Sequence, residues 1–183
     1  LQERWKPERL KTGDELVVQV SKDAVKSKAP VVTERLSFTG RYCVLTVGKT
    51  GIGFSAKIRD ASYKARLREL LECDLAGTKD LGVIVRTNAV TVEECAVREE
   101  LAELMRTWQR LSAEAGCRVC YSCLYRALPG YIAAIRDSFG GTLEEIITDV
   151  PEYHRELKAY LEMCQKEDAG RLTLYEDSLC LLY

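Results

Sequence analysis

Leu81-Gly-Val-Ile-Val-Arg-Thr-Asn-Ala89 decides how the rest of the chain is arranged. Its first five residues are an apolar run rich in β-branched side chains, the pattern of a strand buried on both faces. The run stops abruptly at Arg86 and Thr87, a planar cation beside a hydroxyl. Thr91 and Glu94 then stand at capping-box spacing and predict the start of a long amphipathic helix. An arginine at the exit of a buried strand has two uses. It can grip an anion through its fork of donors, the strand holding the backbone beneath it, or it can pair with a carboxylate at the sheet edge. Local sequence alone favours the second.

Upstream, residues 33–59 read as strands, with Leu36, Phe38, Tyr42, Val44 and Leu45 as apolar positions and Gly40 interrupting them. A glycine inside a strand marks a bulge or a close approach to the backbone. Val47-Gly-Lys-Thr-Gly-Ile-Gly53 has the residues of a phosphate loop in the wrong order and no helix directly after it. It therefore predicts a flexible hairpin-type loop and not a nucleotide site. Residues 61–75 predict a helix with Leu67, Leu70 and Leu71 on one face. Downstream, Leu101, Leu104, Met105, Trp108 and Leu111 recur at helical spacing, the core stripe of a helix over 92–115 that Gly116 closes.

Residues 1–33 hold Trp5, Pro7 and a turn-like Lys11-Thr-Gly-Asp14, then a strand over 15–20 and a loop bearing Lys22, Lys26 and Lys28. In the last third, Pro129 starts a helix carrying Ile132 and Ile135 that ends at Phe139. Residues 143–148 read as a strand. Asp149 reads as the cap of a helix with Pro151 in its first turn, running to about Gln165. A strand over 171–175 and an apolar stretch at 179–183 follow. The fold class is α+β, built as two small α/β layers. Asp137, Glu144, Glu145 and Asp149 are the acids a two-metal nuclease site would draw on. Asp149 serves better as a cap and Asp137 follows Arg136 on a helix surface, so no catalytic or metal role is assigned to them.

The 183 residues are 46% hydrophobic and 30% charged, which suits one soluble domain or two small ones. A net charge of -1 excludes a globally basic nucleic-acid binder, so any RNA contact must rest on local clusters. One such cluster spans 35–68, where Arg35, Arg41, Lys49, Lys57, Arg59, Lys64, Arg66 and Arg68 are opposed only by Asp60. No apolar run reaches the length of a membrane span and no signal peptide stands at the start. A first residue Leu1 without Met is read as the start of a cut fragment. Eight cysteines without a secretory signal point to reduced thiols and a cytoplasmic location. Cys117, Cys120 and Cys123 have spacing that could hold zinc or part of an iron–sulfur cluster. Residues 118–124 also read as a strand, which would turn Cys120 away from its neighbours and leave all three as buried structural thiols without metal.

Taken in chain order, Gly40-Arg-Tyr-Cys-Val44, the Arg86-Thr87 stretch, Arg136-Asp137 and Leu143-Glu-Glu-Ile-Ile-Thr-Asp-Val-Pro151 resemble the ribonuclease E/G family of endoribonucleases, collinearly over 13–183. The resemblance implies residues 1–33 as the remnant of an OB-fold RNA-binding domain, 34–126 as a 5′-sensor-like subdomain and 127–183 as part of an RNase H-like scaffold. It implies that Gly40, Val44, Arg86 and Thr87 bind an RNA 5′-monophosphate, Gly40 and Val44 shaping the pocket while Arg86 and Thr87 bond the phosphate oxygens. Lys28 and Lys57 then contact RNA backbone. Family members often carry Arg where Ala56 stands, so that contact is lost here or passed to Lys57.

The function so implied is a 5′-monophosphate-sensing, RNA-binding fragment of a single-strand-specific endoribonuclease of RNA processing and decay. Its partner is single-stranded RNA and its parent a homo-oligomer. The family's catalytic aspartates, which hold Mg²⁺ in a DNase I-like subdomain, are expected beyond Tyr183. The fragment itself is then expected to bind no cofactor and not to cleave RNA. Two alternatives stand beside this: a scaffold that follows RNA backbone without sensing the 5′ end, and a cysteine-ligated metal module.

Overall fold

In the computed structural model, which describes residues 11–78, 80–138 and 143–175, the central apolar run forms an inner strand of a four-stranded sheet. The chain divides into two units, Leu1–Arg126 and Ala127–Tyr183. The first contains β1 (Gln19–Lys22), β2 (Val31–Thr33), β3 (Ser37–Thr39), β4 (Cys43–Val47), β5 (Gly51–Phe54), α1 (Ala61–Leu75), β6 (Leu81–Val85) and α2 (Glu94–Ala115). The sheet order is β3-β4-β6-β5, antiparallel except for the parallel pair β5 and β6.

Register sorts the side chains by face. Cys43 lies opposite Val85, and Leu45 opposite Val83. These four are almost free of solvent and pack with Leu67 and Leu71 of α1 and Val97 and Leu101 of α2. Burying each leucine fully contributes roughly 1.5–3 kcal/mol, so this one face carries the unit. The opposite face differs from the expectation. Ile84, paired with Val44, is 40% exposed, so the strand is not buried on both sides throughout: its outer face opens at Ile84 while Gly82 on that face is buried.

Helix α1 begins where Asp60 accepts bonds from the backbone N–H of Ser62 (2.8 Å) and Tyr63 (3.1 Å), satisfying two of the orphan donors of the first turn. Past its end, Gly77 takes a left-handed φ of 83°. The start of α2 departs from the sequence reading. Residues 87–91 wind into a 3₁₀ turn, and the Thr91 hydroxyl donates to the Asn88 carbonyl at 2.8 Å. The helix then begins at Glu94 with no side-chain cap. The expected capping box does not form, because its threonine closes the turn before it.

Residues 47–53 are also not a hairpin. β4 and β5 do not pair, and β6 lies between them. The connecting loop crosses the start of β6 at Gly82, where an added Cβ would sit 2.2 Å from the Lys49 carbonyl oxygen and 2.8 Å from that of Gly51. Only a residue without a side chain lets the loop pass there.

The N-terminal strand starts four residues later than expected, at Gln19, and pairs with β2. While its backbone pairs with Thr33, the Gln19 side-chain amide turns to β3, accepting from Ser37 N–H (2.8 Å) and donating to Ser37 O (3.0 Å). Residues 118–124 form no strand. Tyr121 has φ 67° and Ser122 N–H donates to Val119 O at 3.2 Å, so the segment turns instead of extending. Cys117, Cys120 and Cys123 are consequently exposed, and the expectation of buried thiols on a strand is overturned.

The second unit contains α3 (Gly130–Asp137), β7 (Ile146–Thr148), α4 (Pro151–Cys164) and β8 (Leu172–Leu174), with β7 and β8 parallel. Its core is Ile132, Ile146, Leu157 and Leu161. β7 is shorter than the predicted 143–148, and the carbonyl of Leu143 accepts from the Arg171 guanidinium. Asp149 is exposed and does not cap α4. Val150 holds that position without a side-chain bond, and Pro151 occupies the first turn as expected. Buried Asp168 accepts from Gln165 Nε2 (3.3 Å) and Arg171 Nη1 (2.8 Å). Trp5, Pro7, Phe139 and the apolar stretch 179–183 lie outside the described residues. No helix among the described residues is long and apolar enough to cross a membrane.

Candidate functional site

A polar constellation forms in the first unit where β4 begins and β5 and β6 end. Arg86 leaves β6 in extended conformation, and its N–H donates to Tyr42 O at 2.8 Å, carrying the β4–β6 ladder one step further. Its side chain turns back so that Nη1 donates to Gly40 O at 2.7 Å. That bond fixes one end of a guanidinium whose planar fork suits two oxygens of an anion. Thr87 opens the 3₁₀ turn, and its hydroxyl lies 3.1 Å from that of Ser55. Ser55 is itself anchored, its N–H donating to Val85 O at 2.8 Å.

Gly40 has a specific neighbour. The Glu100 carboxylate, projected from α2, accepts from the N–H groups of Arg41 (2.7 Å), Tyr42 (2.8 Å) and Cys43 (2.8 Å). A Cβ on Gly40 would fall 2.4–2.7 Å from the carboxylate atoms. The close approach that the glycine signalled is thus an internal one. Burial first, then the charge and hydrogen bond of Glu100, push the Cys43 thiol far above its ordinary range, while Arg86 pulls the other way.

Of the residues singled out from sequence, Gly40, Arg86 and Thr87 come together here. Val44 lies in register with Ile84 on the outer sheet face. Lys57 is exposed just after Ser55, with its N–H 3.4 Å from the serine hydroxyl. Lys28 lies apart, in the β1–β2 turn opposite Val25. Ser55 and Glu100 were not legible as site residues. The basic run is spread out and partly engaged: Arg66 pairs with Glu94 at 3.1 Å, Arg41 lies over Tyr42, and Arg68 over Phe54. In the second unit Asp137 pairs with Arg136, and Glu145 accepts from Thr173. No group of three or more His, Cys, Asp or Glu among the described residues is placed to hold a metal ion.

Fold and constellation define an α+β protein of two small units, with a guanidinium and two hydroxyls set at adjacent strand ends. The model of the Ribonuclease E/G family matches residues 37–182, and the chain belongs to that family. Ribonuclease E of Synechocystis sp. (strain PCC 6803) is 30% identical over 165 residues, covering 90% of this chain and 24% of that protein. Ribonuclease G of Haemophilus influenzae is 29% identical over 172 residues, 92% of this chain and 34% of that protein. The chloroplastic ribonuclease E/G-like protein of Arabidopsis thaliana is 24% identical over 183 residues, 94% and 18% respectively. The chain therefore spans about a third or less of the length of these relatives.

Proposed function

We propose that this chain is the RNA-recognition portion of an RNA-processing endoribonuclease, and that Arg86 and Thr87 take the 5′-monophosphate of a single-stranded RNA. The observation that carries the reading is the Arg86 side chain held by Gly40 O at 2.7 Å at the end of β6, followed directly in the chain by Thr87, whose hydroxyl pairs with that of Ser55. A terminal phosphate monoester carries up to two negative charges and accepts several hydrogen bonds, whereas a 5′-hydroxyl carries no charge. A guanidinium fork and a hydroxyl on a rigid strand end discriminate between them through charge-assisted bonds. Exposed Lys57, and Lys28 on the hairpin, supply backbone phosphate contacts that carry no end specificity.

Hydrolysis is not assigned to this chain.

The test compares fluorescence anisotropy of one RNA oligonucleotide ending in a 5′-monophosphate or a 5′-hydroxyl. The expected result is tighter binding of the monophosphate form, by about ten- to a hundredfold, and loss of the preference in Arg86→Ala. Equal affinity for both RNAs overturns the reading and leaves a backbone-binding scaffold.

A further inference from the structure

We infer that Glu100 is a positioning residue for Arg86, setting the guanidinium in the orientation a 5′-phosphate requires, an inference that rests on the proposed 5′-end recognition. The chain of contacts is short and continuous. Val97 and Leu101, both free of solvent, seat α2 in the core on either side of Glu100. From there the carboxylate accepts three consecutive backbone N–H groups, those of Arg41, Tyr42 and Cys43. Successive amides converging on one anion form a nest, and here the anion is the protein's own. The turn so held presents Gly40 O to Arg86 Nη1 at 2.7 Å and Tyr42 O to Arg86 N–H at 2.8 Å. Both ends of Arg86, backbone and guanidinium, are thus anchored to the carbonyls of Tyr42 and Gly40, which belong to the peptide groups whose Cys43 and Arg41 amides Glu100 grips.

A carboxylate near a phosphate site would ordinarily repel the ligand. Charge-assisted bonds to three amides at 2.7–2.8 Å direct this one into the turn. Gly40 completes the arrangement, since any side chain there would displace the carboxylate. Replacing Glu100 by glutamine turns an acceptor into an NH₂ facing amide donors, which loosens the turn while the buried stripe of α2 is untouched.

The experiment uses the full chain with Glu100→Gln and, independently, Gly40→Ala, which expels the carboxylate without removing its charge. Two readouts are taken: the Arg86 side-chain resonances by ¹⁵N NMR, and the affinity ratio for 5′-monophosphate over 5′-hydroxyl RNA. Both variants should shift or broaden the Arg86 signals. Both should lower the ratio about tenfold, a loss of about 1.4 kcal/mol, leaving 5′-hydroxyl affinity unchanged, and Glu100→Gln should add nothing on an Arg86→Ala background. General loosening would weaken both RNAs together and overturn the inference. So would Arg86 signals unchanged in Glu100→Gln, or tighter monophosphate binding, which would make Glu100 a competitor for the nest. If Arg86→Ala itself changes neither RNA, the 5′-end reading falls, and the Arg86 resonances alone decide whether Glu100 positions it. Should Glu100→Gln fail to fold, Glu100→Asp, one methylene shorter with its charge kept, carries the same readouts.

Discussion

The Ser55 and Thr87 hydroxyls lie 3.1 Å apart and join the ends of β5 and β6, two parallel neighbours. Each hydroxyl can donate and accept, so when one donates to a ligand the other still satisfies it. Thr87→Val keeps the branched shape and removes the oxygen. It should weaken 5′-monophosphate RNA about tenfold, since a hydrogen bond to a charged group contributes roughly 1.5–3 kcal/mol, and leave 5′-hydroxyl RNA unchanged. Ser55→Ala should give a smaller loss in the same direction. Anisotropy titrations of both RNAs check this, and a Thr87→Val chain with its full preference would remove the threonine from the site.

Gly82 and Gly53 make a paired test of the strand order. A Cβ at Gly82 meets backbone carbonyls at 2.2 and 2.8 Å, while one at Gly53 meets only Ile84 Cγ1 at 3.6 Å and Val83 O at 3.9 Å. Backbone cannot move aside as a side chain can. Gly82→Ala should therefore destabilise the unit by about 3 kcal/mol in urea unfolding. Gly53→Ala should change it by less than about 1 kcal/mol, in the stabilising direction, through the lower entropy of the unfolded chain. Equal effects would mean that the loop does not cross β6 where described.

These glycines also mark where sequence reading stops. Local signals served well where structure is local: the helix read over residues 61–75 forms with those bounds, and the stripe from Leu101 to Leu111 lies on α2. The position of Arg86 and Thr87 at a strand end was legible because the apolar run stops at them. Glu100 was not, since it sits among Glu94, Glu99 and Glu103 on one helix, and its partners lie nearly sixty residues upstream. The 47–53 loop has hairpin composition, and only the insertion of β6 makes it a crossover. Residues 118–124 alternate like a strand, but alternation needs a sheet edge to pair with, and this segment turns at Tyr121 instead.

The thiols give a prediction free of RNA. Cys73, Cys95, Cys117, Cys120, Cys123 and Cys164 are exposed, whereas Cys43 is buried on the inner face of β4 with its acidity suppressed by burial and by Glu100. Thiolate is the reactive form. A thiol reagent at neutral pH should label the exposed cysteines of the native chain, with Cys43 modified only on unfolding. Mass spectrometry of the digested product assigns each site. Labelling of Cys43 at the rate of Cys117 would contradict the packing of the inner sheet face.

The fork between Arg98 and Asp74, with bonds of 2.7 and 2.6 Å, ties α2 to the end of α1. The hydrogen bond from Arg98 is the main reason the Asp74 carboxyl is held below its usual range, with the arginine's charge adding to it and partial burial opposing. An unfolded aspartate titrates near ~4, so the folded state binds the proton less readily than the unfolded state. Its contribution to stability is then complete above that pH and is lost as pH falls through the lower folded value. Asp60, lowered chiefly by its bond from the Ser62 hydroxyl, acts with the same sign. Denaturant midpoints measured from neutral to strongly acid pH should fall on the acid side. Asp74→Asn should be less stable than the parent near neutrality and converge with it in acid. The gap at neutrality should be small, because Arg98 is 45% exposed and solvent screens the pair. A constant gap across the whole range would show that Asp74 acts by packing and not by charge.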